Sequence, residues 1–366
     1  MSEERFAERR RRAIEAAEAA ELAGLLVSPG PDLAYLAGYT PMPLERLTLL
    51  LLTARREPTL VVPTLERPLA ESAAGAAGLE IFDWRDGTDD PYELVAQVLG
   101  SGRYAVTDQT WASHLLALEH ATADCLFVAA GRALPLLRAV KDPDEVERLR
   151  AAGQAADAAF ADVIALPFAG RTEMEVSQEL DRLLKVHGHQ RVDFAVVGSG
   201  PNAASSHHEP GERRIGAGDA VVMDFGGVRD DYYSDITRTV FVGEPSDEER
   251  TVYGVVRSAQ QAAFEAIRPG VPAQEVDRAA RALITDAGYG DRFVHRTGHG
   301  IGLELHEPPY IVQGNETPLQ AGMTFSDEPG IYLEGRFGVR IEDQVVVTGE
   351  GAERLNDASR DLTVVA

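Results

Sequence analysis

Val221-Val222-Met223-Asp224-Phe225-Gly226-Gly227 and Tyr232-Tyr233-Ser234-Asp235-Ile236-Thr237-Arg238-Thr239-Val240-Phe241 are two β-type runs joined through a polar turn region at Arg229-Asp230. That is the pattern of an antiparallel hairpin. A turn centred between Arg229 and Asp230 would set position 224 directly opposite 235, with the two Cβ atoms roughly 5 Å apart on one face. Like charges opposed on a sheet are destabilising, so the arrangement makes sense with a cation between the carboxylates or with one of them protonated. A different register, with both acids turned to solvent, fits the hairpin alone equally well.

Outward from the hairpin, further β-rich segments at 193–198, 323–332 and 338–347 are interleaved with helical stretches near 172–187, 247–267 and 273–287. A long amphipathic run through Ile164 opens at Lys141-Asp142-Pro143-Asp144-Glu145, where proline and acidic residues suit a helix N-terminus. The domain boundary is placed just before it, giving domains 1–138 and 139–366. In the first domain, apolar runs at 23–27, 47–52, 59–62, 79–82 and 104–106 punctuate helical patterns near 5–22, 64–76, 91–99 and 111–120, an α/β layer pattern. Trp84, Trp111, His114 and His120 lie there, and isolated aromatics and histidines of this kind are read as core or surface residues.

Acidic residues number 59 against 35 lysines and arginines, and the net charge of −24 repels nucleic-acid phosphates and anionic lipid, so neither is an expected partner. Cys125 is the single cysteine, which excludes an intrachain disulfide and thiolate-rich metal sites. Met1 to Arg12 is strongly charged, without the apolar stretch of a secretory signal, and a cytoplasmic location is expected. The leucine-dense run at 47–52 has the length of a buried strand and is too short to span a bilayer.

Polar residues with site-like spacing gather in the second domain. His295, His299 and His306 lie within twelve residues, with glycines on either side of His299, which suggests a metal or proton-transfer site with backbone brought close to something small. Glu328 lies in Ser326-Asp327-Glu328-Pro329-Gly330, and Glu342 in Gly338-Val339-Arg340-Ile341-Glu342-Asp343. Strand alternation puts Arg340, Glu342 and Gln344 on one face, which suits a salt-bridged surface strand as well as a site.

Taken in order, the aspartates eleven apart, Ser234-Asp235-Ile236-Thr237-Arg238-Thr239, Gly298-His299-Gly300-Ile301-Gly302, Glu328-Pro329-Gly330-Ile331-Tyr332 and Val339-Arg340-Ile341-Glu342-Asp343 resemble the motifs of the pita-bread metallopeptidases. That family includes prolidase (Xaa-Pro dipeptidase), aminopeptidase P, methionine aminopeptidase and the metal-free creatinase, and the two-domain layout resembles its prolidase and aminopeptidase P branch. The resemblance implies an α/β creatinase-like N-terminal domain followed by an α+β pita-bread domain. It implies two divalent cations, one on Asp224, the other on His299 and Glu328, with Asp235 and Glu342 bridging. An oxygen-rich set of this kind suits manganese or cobalt, with zinc or ferrous iron as alternatives. The activity implied is cleavage of the Xaa-Pro bond of dipeptides by a metal-bridging hydroxide. The alternatives are aminopeptidase P action on longer peptides, hydrolysis of another small amide, or a pita-bread domain used only for binding.

By the same resemblance, His207 contacts substrate, His295 and His306 position the substrate and the tetrahedral intermediate, Glu328 also takes the proton from the water, and Arg340 supports the carboxylates. His208, Tyr332 and Asp343 are supporting residues, and a homodimer is implied. Two positions depart from the family pattern. Many prolidases carry an arginine four residues beyond the match to His306, where it pairs with the dipeptide carboxylate. Here Tyr310 can donate one hydrogen bond but cannot form that charged pair, which leaves Arg213, Arg214 or a neighbouring subunit to supply the clamp. Asp327 stands where an aliphatic residue is usual, and is expected to turn outward on its strand.

Overall fold

A computed structural model describes residues 2–206 and 208–366. The chain divides into two compact units, Met1–Arg138 and Ala139–Ala366.

The first unit contains helices α1 (Glu3–Ala19), α2 (Pro31–Ala37), α3 (Arg67–Glu71), α4 (Pro91–Val98), α5 (Ala112–Ala121) and α6 (Ala130–Ala133). Its strands β1 (Gly24–Val27), β2 (Leu49–Thr53), β3 (Thr59–Pro63), β4 (Glu80–Trp84), β5 (Gly102–Val106) and β6 (Cys125–Ala129) form one sheet in the order β4-β3-β2-β1-β5-β6. The central strands β1, β2 and β3 are buried along their whole length, which is why their sequences are continuous apolar runs with no alternation. Leu26, Leu49, Leu51, Val61, Trp84 and Val95 meet in the core, and the Trp84 indole N–H donates to the Leu47 carbonyl at 3.0 Å. The helix α2 and the edge strand β6 were not anticipated from the sequence. The helix is only two turns long, and β6 runs straight into α6 without a turn residue to mark its end.

The second unit contains α7 (Pro143–Val163), α8 (Glu173–Val186), α9 (Asp247–Ala266) and α10 (Ala273–Asp286). Asp142 caps α7 by accepting from the Asp144 and Glu145 amides, with Pro143 in the first turn and Glu145 closing the capping box. Strands β7 (Arg191–Ser199), β8 (Ala220–Arg229) and β9 (Tyr232–Val242) join β17 (Thr363–Val365) in a sheet ordered β17-β9-β8-β7. Phe160, Phe168, Leu180, Phe225 and Ile236 pack between this sheet and helices α7 and α8. Strands β10 (Gly298–Gly300), β11 (Glu307–Ile311), β12 (Thr324–Asp327), β15 (Asp343–Val347) and β16 (Ala352–Arg354) form a second sheet, ordered β11-β10-β12-β15-β16. The pair β13 (Gly330–Leu333) and β14 (Phe337–Arg340) completes the unit. No helix among the described residues is long and apolar enough to cross a membrane.

The hairpin is present with a register different from the expected one. Asp224 pairs with Thr237 and Asp235 with Gly226, because the turn is centred between Asp230 and Asp231, both with positive φ (51° and 72°). Two left-handed residues make the tight turn that matches strand twist. The displacement is by an even number of residues, so Asp224 and Asp235 still share one face, as diagonal neighbours.

The two C-terminal β-rich segments are each interrupted. The first breaks at Glu328-Pro329, where the proline has no N–H to give a ladder, and the second at Ile341-Glu342. Glu328 N–H instead donates to the Thr297 carbonyl at 2.8 Å, and Glu342 N–H to the Thr237 carbonyl at 3.0 Å. Both glutamates therefore sit where the chain passes from one sheet to another, and the surface-strand reading of Arg340 and Glu342 is corrected: they are 3% and 2% exposed.

Candidate metal centre

Asp224 and Asp235 project from one face of the β8–β9 hairpin, His299 comes from β10, and Glu328 and Glu342 come from the two strand breaks. All five line a single cavity of about 560 Å³, together with Asp193, Arg296, His295, His306 and Arg340. Ligand-type atoms of Asp235, His299 and Glu342 lie within 4.8 Å of one another. His299 Nε2 stands 3.4 Å from both Asp235 Oδ2 and Glu328 Oε1.

The glycines beside His299 have a reason other than the one expected. A Cβ on Gly298 would lie 1.8 Å from the Ser326 carbonyl oxygen, and one on Gly300 would lie 2.3 Å from the Glu307 carbonyl oxygen. The close approach shown is of β10 to its two neighbouring strands, and it seats the imidazole beside Asp235 and Glu328.

The donor set fits divalent cations. His299 Nδ1 faces the Gly300 carbonyl at 3.2 Å, so the tautomer with its proton there leaves the Nε2 lone pair directed at the carboxylates. Glu342 Oε2 accepts from Thr237 Oγ1 at 2.7 Å, while Oε1 is buried without a hydrogen-bond partner. Burial, and then Asp224, push the Asp235 carboxyl up to about 6 against the opposing pull of His299 and Arg340. Burial lifts Glu328 to about 7, with Asp235 and Asp224 adding to it. Burial and the same neighbouring carboxylates raise Glu342 well above the ordinary range. Crowded buried acids of this kind need imported positive charge or protons.

Arg340 supplies one charge. Its guanidinium donates to Asp224, to Tyr332 Oη at 2.8 Å and to Thr237 Oγ1 at 3.0 Å. Tyr332 Oη also lies 2.8 Å from His295 Nε2, so His295, Tyr332 and Arg340 form one chain of contacts. The His306 ring lies 3.9 Å from that of His299, centroid to centroid. His207 lies outside the described residues. Its neighbour His208 meets the buried Glu173 carboxylate at 2.7 Å, which also accepts from Ser199 and Asn202.

Three expectations change. Asp327 is not turned outward: it is fully buried opposite Asp343 on β15, with both carboxyl oxygens unpartnered. Tyr310 is not among the cavity-lining side chains, because Arg296 covers its ring at 4.5 Å from the centroid. Arg213 and Arg214 do not line the cavity either, since Arg213 pairs with Asp219 and Arg214 donates to the Gly170 carbonyl. Thr237 and Ser326, which hold Glu342 and Glu328, were not singled out from the sequence. Their spacing of two residues from Asp235 and Glu328 is the strand period that could have marked them.

Residues 147–349 match the model of metallopeptidase family M24, and residues 9–140 that of the creatinase/prolidase N-terminal domain. The chain belongs to metallopeptidase family M24. Its fold is therefore the creatinase-type N-terminal domain followed by the pita-bread domain. It is 48% identical over 362 residues to the "Probable dipeptidase PepE" of Mycobacterium tuberculosis, covering 97% of this chain and 96% of that one. It is 38% identical to the Xaa-Pro dipeptidase of Lactobacillus helveticus over 345 residues, 91% of this chain and 92% of the other. Among solved structures, dipeptidase PepE from Mycobacterium ulcerans superposes with a TM-score of 0.95 at 48% identity, covering 100% of this chain and 99% of that one.

Proposed function

We propose that this metallopeptidase hydrolyses the Xaa-Pro bond of dipeptides with two divalent cations, manganese or cobalt, in the cavity. The observation that carries the reading is the convergence of Asp224, Asp235, His299, Glu328 and Glu342 on one cavity, with the carboxyls of Asp235, Glu328 and Glu342 raised by burial and mutual repulsion. Asp224 would hold one cation, His299 and Glu328 the other, and Asp235 and Glu342 both. Bound there, the cations supply Lewis acidity that acidifies water and polarises the scissile carbonyl.

The remaining work falls to side chains. Glu328 accepts the proton given up by the attacking water and delivers it to the leaving nitrogen. Arg340 fixes the Asp224 carboxylate, and through Tyr332 it ties that acid to His295, which with His306 and His207 orients the substrate. The names of the relatives, dipeptidase and Xaa-Pro dipeptidase, support a dipeptide substrate. The family resemblance extends the reading to a cytoplasmic homodimer, which light scattering tests for its oligomeric part. Tyr310, a neutral side chain where many prolidases carry a charged clamp, is the one feature favouring aminopeptidase P action on longer peptides.

A panel of Xaa-Pro, Xaa-Pro-Yaa and non-proline peptides, assayed with added manganese, tests the proposal. Cleavage of Ala-Pro and not of Ala-Pro-Ala or Ala-Ala is the expected pattern. Cleavage of Ala-Pro-Ala alone would replace the dipeptidase reading with the aminopeptidase one.

A further inference from the structure

Two arginines line the cavity, and they are placed very differently. Arg340 is buried and committed to Asp224, Tyr332 and Thr237. Arg296 is half-buried, and among the described residues its guanidinium makes no hydrogen bond or ion pair; its contact is the face of Tyr310. An unpaired cation in a cavity lined by five carboxylates is unexpected unless something anionic is to be met there.

The local structure explains how the cation is held. Tyr310 on β11 is the cross-strand partner of His299 on β10, and Arg296 lies two residues before β10. Stacking the flat guanidinium on the phenol ring fixes its plane while leaving its edge N–H groups available. Those donors form a fork matched to a carboxylate.

We propose that Arg296, seated on Tyr310, binds the free C-terminal carboxylate of the substrate and so restricts the site to dipeptides. The proposal rests on the Xaa-Pro hydrolase reading above. In a dipeptide the carboxylate belongs to the residue just after the scissile bond, so it must lie within the same cavity as the reacting carbonyl. That carboxylate is best met by a donor fork not already committed to the acids or to the cations they would hold. Arg340 is occupied by Asp224, and Arg213 and Arg214 are elsewhere, so of the arginines lining the cavity Arg296 is the one with uncommitted donors. A longer peptide would bring a neutral amide to that fork and leave the guanidinium unmatched, so one contact both binds and measures length.

The test compares Ala-Pro with Ala-Pro amide, which differ only in the charged group, using manganese-loaded wild type, Arg296→Gln and Arg296→Lys. Wild type should prefer the acid by roughly 10- to 100-fold in kcat/KM, the range of one charge-assisted contact. Arg296→Gln should bring that ratio close to one, mostly through KM, and Arg296→Lys should restore part of it. A wild-type ratio near one overturns the proposal without any variant, as does an Arg296→Gln loss equal on both substrates. Unchanged metal content and melting temperature in Arg296→Gln separate a lost contact from a misfolded site. Should wild type cleave no Xaa-Pro peptide at all, the hydrolase reading fails. Calorimetric binding of proline against prolinamide then still reads the carboxylate contact: binding of proline alone supports it, and equal or absent binding overturns it.

Discussion

Glu342 and Asp343 are neighbours in the chain, both are buried, and they belong to opposite kinds of acidic cluster. Asp343 is met by Arg238 at 2.6 Å, by Arg354 and Arg360 at 3.2 Å each, and by Gln260 at 3.0 Å. Although burial opposes it, Arg238 and the other guanidiniums hold its carboxyl below the ordinary range. Glu342 faces Asp224, Asp235 and Glu328, with one oxygen unpartnered, and its carboxyl is raised. The difference lies in where the counter-charge comes from. The chain supplies it for Asp343, a structural carboxylate, and leaves it to be imported for Glu342.

The largest expected effect of breaking that contrast is on turnover. Asp235→Asn or Glu342→Gln should lower kcat by about 10³-fold or more, since each removes charge from a side chain shared by both proposed cations. Steady-state assays with saturating manganese read this, and near wild-type turnover in either variant would contradict the assigned set. Asp343→Ala attacks the other cluster. It strands the buried Arg238 and should cost about 3–5 kcal/mol of stability in urea unfolding. A loss under 1 kcal/mol, on the order of a surface pair, would remove Asp343 from its structural role.

The pH dependence sharpens the comparison with opposite signs. In chelator-treated protein the fold favours the protonated forms of Asp235 and Glu328. Their contribution to stability is complete below the ordinary carboxyl range and is lost as pH rises through about 6 and about 7. The metal-free melting temperature should therefore fall between pH 5 and pH 8, and manganese should reverse the trend. Asp343 contributes the other way, with stability lost only on acidification below the ordinary carboxyl range. A metal-free melting temperature that rises from pH 5 to pH 8 would contradict the crowding of the acids.

The smallest effect concerns Asp327. Burial and the charge on Asp343 raise its carboxyl well above the usual range, which favours the protonated form. Asp327→Asn, an amide of the same shape, should change stability by less than about 1 kcal/mol. A loss of several kcal/mol would mean that Asp327 is ionised and paired.

What could be read in advance divides along physical lines. The paired aspartates, the His299 segment and the two glutamates stood out because ordered motifs survive without knowledge of tertiary contacts. The hairpin register differs by two residues from the expected one because the left-handed pair is Asp230-Asp231 and not Arg229-Asp230, in keeping with the tolerance of aspartate for that conformation. The burial of Asp327 was missed because strand alternation assumes one wet face, and β12 is buried on both. Arg296 had no signal of its own, because its meaning depends on Tyr310 lying opposite His299, a pairing between strands that sequence spacing does not reveal.

Metal content measured by elemental analysis tests the central claim most directly. After loading with manganese and removal of excess, the wild-type protein should retain about two equivalents per chain, and Glu342→Gln should retain fewer. No retained metal in the wild type, or two equivalents undiminished in Glu342→Gln, would contradict the account.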